Sequence, residues 1–220
     1  WRDRAVLDFG KHQEALADQA ALLDHAIEGF REGRYLPPHT EVRLDIRKQE
    51  GQCFQYWLLC GSFHIDSFDE YPPDFLGPIG GEAGARPFPG QRFTDTTGVE
   101  RMWIKYDSPK KGEVDFKNIF EPNITAVAYA YCVINTTRPQ EVTALLGSND
   151  GATVWCNGEE VHHVHGKRSL IADEDEFQLE LKEGKNHIMI KVEQWKAGWG
   201  LSFRLKDVEV RSHKNKYYIQ

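Results

Sequence analysis

The sequence predicts a mainly β protein: an antiparallel β-sandwich, or jelly roll, with an N-terminal α-helical extension. Three observations predict it. Short runs of alternating apolar and polar residues recur from residue 42 onward, separated by Gly, Pro, Asn and Asp. The stretch 145–161 reads as strand, turn, strand, turn, strand, because Asn149-Asp150-Gly151 and Asn157-Gly158 tolerate the positive φ of tight hairpin turns. One good helical stripe is found, within 8–34, where Leu16, Ala20, Leu23, Ile27 and Phe30 share a face.

Taken in order, Asp8 is a candidate cap for that helix, Gly33 sits near its stop, and Pro37-Pro38 forbids continuation. The narrow stripe suits packing on the β domain or on a neighbouring domain. Residues 42–46 alternate as a strand, and 53–63 form a longer apolar strand. The stretch 64–100 is rich in Pro and Gly and reads as a long ordered surface loop, anchored by Phe68, Tyr71, Phe75, Phe88 and Phe93. Short strands are expected at 102–106 and 141–146, with a strand or one helical turn at 115–120. Residues 126–134 are nearly unbroken apolar, as in a central strand covered on both faces. Beyond 161, a segment at 162–171 carries a basic turn, Gly166-Lys167-Arg168. Strands then follow at 177–181, 188–192, 201–205 and 208–210. Roughly ten short strands at this spacing are the pattern of a sandwich. The chain divides into a helical extension (1–40), a β-sandwich domain (41–212) and a C-terminal tail (213–220).

Composition narrows the function classes. Of 220 residues 40% are hydrophobic, enough for a core. A formal net charge of −7 argues against a nucleic-acid surface. No apolar run approaches the roughly 20 residues of a membrane helix. The chain opens on Trp1 and reads as a piece of something longer. Cys53, Cys60, Cys132 and Cys156 form no CxxC pair, and each lies in an apolar run, as buried free thiols do.

Several motifs carry a family resemblance over about 55–210. Trp57-Leu-Leu-Cys-Gly-Ser-Phe63, Asp74-Phe-Leu76 and Gly80-Gly-Glu82 come first. Gly147-Ser-Asn-Asp-Gly-Ala-Thr-Val-Trp-Cys-Asn-Gly158, the Gly184-Lys-Asn strand and Gly198-Trp-Gly-Leu-Ser-Phe-Arg-Leu205 follow. In order and spacing they resemble the galactose-binding-like jelly-roll accessory modules of multidomain bacterial carbohydrate-active enzymes. The resemblance implies a non-catalytic module that binds carbohydrate, or only braces a neighbouring catalytic domain of the same full-length chain. It implies no nucleic-acid or membrane partner. Secretion is expected from the family, whereas free cysteines also suit the cytoplasm. Ser62 and Asn149 stand where the family has Pro and Asp, and the latter weakens any structural calcium loop. No other cofactor is implied. The third reading is a hydrolase using Asp69, Asp74 and Glu82 of loop 64–100, though no spacing singles out an acid–base pair.

Candidate ligand-binding residues are Trp195, Tyr71, His163, Arg168 and Trp199. Trp195 and Trp199 flank a Gly-containing loop, where rings either stack on sugar faces or plug the end of the core. Tyr71 lies in the long loop. Arg168 suits a sugar hydroxyl or carboxylate. His163 and His165 share a strand face, half of a metal site that would need His187 or Glu160 to complete it. The plainer reading is a solvated strand face. Asp150 is expected to brace its own turn rather than bind calcium. The run 173–176 is read as solvated loop.

Overall fold

The computed structural model describes residues 54–108, 112–206, 208, 211–213 and 216–219, all in the compact unit Gln49–Gln220. The helix expected at 8–34, the strand at 42–46 and Cys53 lie outside the described residues.

The described chain is mainly β. One sheet has eight strands. Its centre is β6 (Ala126–Thr136) against β11 (Gly184–Gln194), followed by β8 (Ala152–Cys156) and β9 (Glu159–Val164). On the other edge of β6 lie β1 (Tyr56–His64), itself paired with β4 (Ile104–Asp107), and β14 (Lys216–Ile219), paired with β13 (Arg211–His213). A four-stranded sheet runs β10 (Asp175–Leu181), β7 (Gln140–Asn149), β12 (Gly200–Leu205), β5 (Glu113–Asp115). A hairpin of β2 (Arg92–Thr94) and β3 (Glu100–Met102) forms a third, two-stranded sheet.

Alternation assigns the faces. Ala126, Ala128, Ala130, Cys132 and Ile134 of β6 join Val154, Ile190, Leu146 and Phe203 in one core cluster fed by both large sheets. The intervening Val127, Tyr129 and Tyr131 enter a second cluster with Phe63, Phe75, Trp103, Trp155 and Met189. Strand β6 is therefore covered on both faces, as its unbroken apolar run requires. Trp57 belongs to the first cluster, Trp103 and Trp155 to the second. Burying a side chain of this size contributes about 2–3 kcal/mol.

The stretch 64–100 covers the outer face of the eight-stranded sheet. It is less irregular than expected, because it contains a 3₁₀ turn at Gly77–Ile79, a one-turn helix α1 (Gly81–Gly84) and β2. Phe68, Phe75 and Phe93 are buried anchors, whereas Phe88 is 61% exposed and Tyr71 50%.

Other expectations shift. Strand β14 pairs parallel with β6, so pairing is not antiparallel throughout. It lies in the stretch read as a tail, and its Ile219 is buried in the core. Val208 lies outside any strand, and the next strand begins at Arg211. At the central turn, only Asn157-Gly158 takes positive φ, at 56° and 97°. Gly151 is instead required by space, since a Cβ there would lie 2.8 Å from both Glu193 Oε2 and Val164 O. Cys60, Cys132 and Cys156 are buried free thiols. Among the described residues, no helix is long and apolar enough to cross a membrane.

Candidate functional site

The predicted ligand residues gather around the Asp150 turn, and most are already engaged there. Asp150 Oδ1 accepts the Arg168 N–H at 3.0 Å, and Oδ2 accepts the Trp195 N–H at 2.8 Å. The carboxylate thus braces two loops beyond its own turn, and chain donors occupy both oxygens that a cation would need. Among the described residues, no group of three or more His, Cys, Asp or Glu side chains is placed to hold a metal ion.

Arg168 is committed in the same way. Its guanidinium meets Asp175 through two hydrogen bonds, 2.8 and 2.5 Å, and donates to Ser148 Oγ and the Asp150 carbonyl. Burial alone would raise the Asp175 carboxyl, but the Arg168 hydrogen bonds and charge outweigh it and hold the group below its ordinary range. A ligand would have to break this fork-to-fork pair to reach Arg168.

Trp195 is half-buried, and the Nζ atoms of Lys167 and Lys196 lie 4.1 and 3.8 Å from its ring centroid. Cations therefore occupy the π surface that a sugar would stack on. Trp199 is 2% exposed and packs on Phe116 and Phe120, so it plugs the core and is withdrawn from the candidate ligand residues. Tyr71 sits 5.0 Å from the His163 ring, and its Oη lies 3.1 Å from Thr153 Oγ1.

The three histidines part company. His162 stacks on Phe177, with its Nε2 3.2 Å from Asp175 Oδ2. His163 Nδ1 lies 3.1 Å from Thr153 Oγ1. His165 Nδ1 pairs at 2.6 Å with Glu193, whose side chain is fully buried. Burial pushes the Glu193 carboxyl up, against the pull of His165. Two strand positions away, fully buried Lys191 meets Glu82 of α1 at 2.8 Å, donates to the Pro72 carbonyl and underlies the Tyr71 ring. Tyr129 donates to the same Glu82 at 2.6 Å. This clamp holds the 64–100 stretch to the sheet. Burial raises the Glu82 carboxyl despite Lys191.

The open site is elsewhere. A cavity of about 620 Å³ lies where β1, β4, β6 and β11 meet the Arg86–Pro89 segment, at the outer side of the eight-stranded sheet. Its aromatic lining includes Phe88, Tyr106 and Tyr131; its cations are Arg86, Lys105 and Lys185; among the described residues Asp107 is its one carboxylate. Register places Lys105 opposite Leu58 on β1, and Lys185 opposite Asn135 on β6. Arg86 Nη1 donates only to carbonyls, those of Ala83 at 3.0 Å and Ala85 at 2.8 Å. Among the described residues no carboxylate forms an ion pair with Arg86, Lys105 or Lys185.

At the cavity wall, His187 Nδ1 lies 2.5 Å from Tyr131 Oη. Burial, then Arg86, Lys182 and Lys185, hold the His187 imidazole below its ordinary range. Tyr131 is pushed up to about 12, chiefly by burial. Sequence reasoning missed this site. Its only sequence signals were Phe88 among prolines and glycines, and Lys105 and Lys185 at alternating strand positions; nothing in their spacing joined them.

No family model matches the chain, and no curated protein does. Among solved structures, it is similar to an anti-sigma factor domain-containing protein at 12% identity and a TM-score of 0.37, covering 77% of this chain and 45% of that one. The PA14 domain of MpAFP antifreeze protein is 10% identical with a TM-score of 0.37, covering 74% and 85%. A β-glucuronidase from Ruminococcus gnavus is 12% identical with a TM-score of 0.41, covering 77% and 33%. The chain thus spans less than half of the first of these proteins and a third of the last. At these scores the likeness transfers neither fold nor function.

Proposed function

We propose that the two large sheets form a galactose-binding-like jelly-roll sandwich, serving as a non-catalytic carbohydrate-binding accessory module of a larger glycan-processing enzyme. The motif stretches that resemble such modules fall on β1, on the turns joining β7, β8 and β9, on β11 and on β12, which supports the fold part of this reading.

One observation carries the binding part: the cavity combines an exposed ring with cations that have no carboxylate partner among the described residues. Its volume of about 620 Å³ lies within the range of small-molecule sites. A sugar ring offers an apolar face to Phe88 and directs its hydroxyls toward Arg86, Lys105 and Lys185. A single carboxylate in the lining supports the non-catalytic assignment, because glycoside hydrolysis usually needs two flanking carboxyl groups. The binding site therefore moves from the Asp150 loops, where Arg168 and Trp195 are occupied, to the outer sheet face.

Calorimetric titration with a panel of neutral and charged oligosaccharides tests this. Binding at micromolar to millimolar Kd is expected, because a shallow site leaves little surplus after the cost of association. Phe88→Ala should weaken it on the order of tenfold. Absence of heat across the panel would overturn the reading.

A further inference from the structure

We infer that this cavity selects acidic saccharides, those bearing a carboxylate on the sugar ring, over their neutral counterparts. The inference rests on the carbohydrate-binding reading and names its ligand class. Charge carries it. The whole chain has a formal net charge of −7, yet the cavity lining sets Arg86, Lys105 and Lys185 against Asp107 alone. Several cations elsewhere meet acids: Arg101 with Asp95, Arg168 with Asp175, Lys191 with Glu82, Arg204 with Asp173, Lys206 with Glu176. The cavity cations form no such pair among the described residues.

Geometry distributes the charge usefully. Arg86 comes from the segment after α1, Lys105 from β4 and Lys185 from the start of β11, so the three approach the space from different elements. Both Arg86 contacts fall on Nη1, through carbonyls of its own segment, which fixes the position of the guanidinium at the cavity. A planar guanidinium matches a carboxylate with two parallel hydrogen bonds. The exposed ring of Phe88 supplies the surface for the sugar ring that carries this carboxylate.

The test compares a trisaccharide of galacturonic acid with the galactose trisaccharide of the same linkage, which differs only in the carboxylates. Each is titrated calorimetrically into the full chain at 20 and 300 mM salt. The acid form should bind at least tenfold more tightly at low salt, and the margin should shrink as salt screens the charges. Lys185→Glu should bring the margin close to one. Its side chain takes part in no ion pair among the described residues, so the fold should stand, as checked by the thermal midpoint. Arg86→Ala should do the same but also loosens the segment after α1, so Lys185→Glu decides if Arg86→Ala unfolds. Equal or tighter binding of the neutral trisaccharide would overturn the selectivity and leave carbohydrate binding intact. No binding of either, with none across the wider panel, would overturn both. A margin that survives Lys185→Glu and Arg86→Ala would remove the cavity as the selecting site. Inorganic phosphate or adenosine monophosphate displacing the acid form at equal concentration would mark a general anion site and overturn the saccharide assignment.

Discussion

Strand β11 carries two polar neighbourhoods at alternating positions: Lys191 and Glu193 beside the Asp150 loops, and Lys185 and His187 beside the cavity. In the first, charge is buried and matched within the chain. Lys191 is fully buried on Glu82, Glu193 on His165, and Asp150 accepts two backbone N–H groups. In the second, Arg86, Lys105 and Lys185 face open space without an acid partner among the described residues. Buried charge costs several kcal/mol unless paired, so the pairing in the first region serves the fold. Unpaired charge at a cavity wall stays solvated and free to meet a ligand. The residues that look most functional in the sequence, Arg168, Trp195 and the histidine run, lie where side chains already have partners within the chain.

Breaking the first region should cost the most stability. Lys191→Met strands Glu82 without its ammonium and should destabilise the protein by about 3–5 kcal/mol in urea unfolding. Adding Glu82→Leu should recover much of that. If the single variant loses less than about 1 kcal/mol, the clamp is not what holds 64–100 to the sheet. Asp150→Ala leaves the Arg168 and Trp195 N–H groups without acceptors and should cost about 2–3 kcal/mol by the same measurement.

A third comparison uses pH. Burial raises both Glu82 and Glu193 above the ordinary value of 4.5. A raised carboxyl binds its proton more tightly in the folded state. Its contribution is therefore complete below 4.5 and is lost as pH rises through the folded value. Glu193→Gln should flatten the fall of stability as pH rises above 4.5, read from unfolding midpoints at several pH values. An unchanged slope would mean that Glu193 stays ionised beside His165 throughout. The smallest effects are expected at exposed rings. Phe88→Ala should change stability by less than about 0.5 kcal/mol while weakening saccharide binding. Trp195→Ala should leave saccharide affinity within about twofold. The reverse pattern would return the binding site to the Asp150 loops.

Much of the β architecture was legible because period-2 alternation records which face each residue buries. Val154 and Cys156 fall in one cluster and Trp155 in the other, as their spacing predicts. Asp150 was expected to brace its own turn; its carboxylate instead accepts the N–H groups of Arg168 and Trp195, which lie 18 and 45 residues away, beyond the reach of local pattern. Trp199 illustrates the ambiguity of an aromatic beside glycines: the sequence could not say whether the ring plugs the core or faces out. Gly151 was read as conformational freedom, whereas crowding by Glu193 and Val164 is what excludes a side chain.

By itself, the amino-acid order determined the central strands β6, β8, β11 and β12 and their buried faces. These depend on residues a few positions apart, where backbone geometry links spacing to direction. Only the tertiary structure decided which charges are spent and which remain available. Pairing of Lys191 with Glu82, and the convergence of Arg86, Lys105 and Lys185 on one cavity, join residues distant in the chain. Electrostatic energy follows distance through space, and no local pattern encodes that.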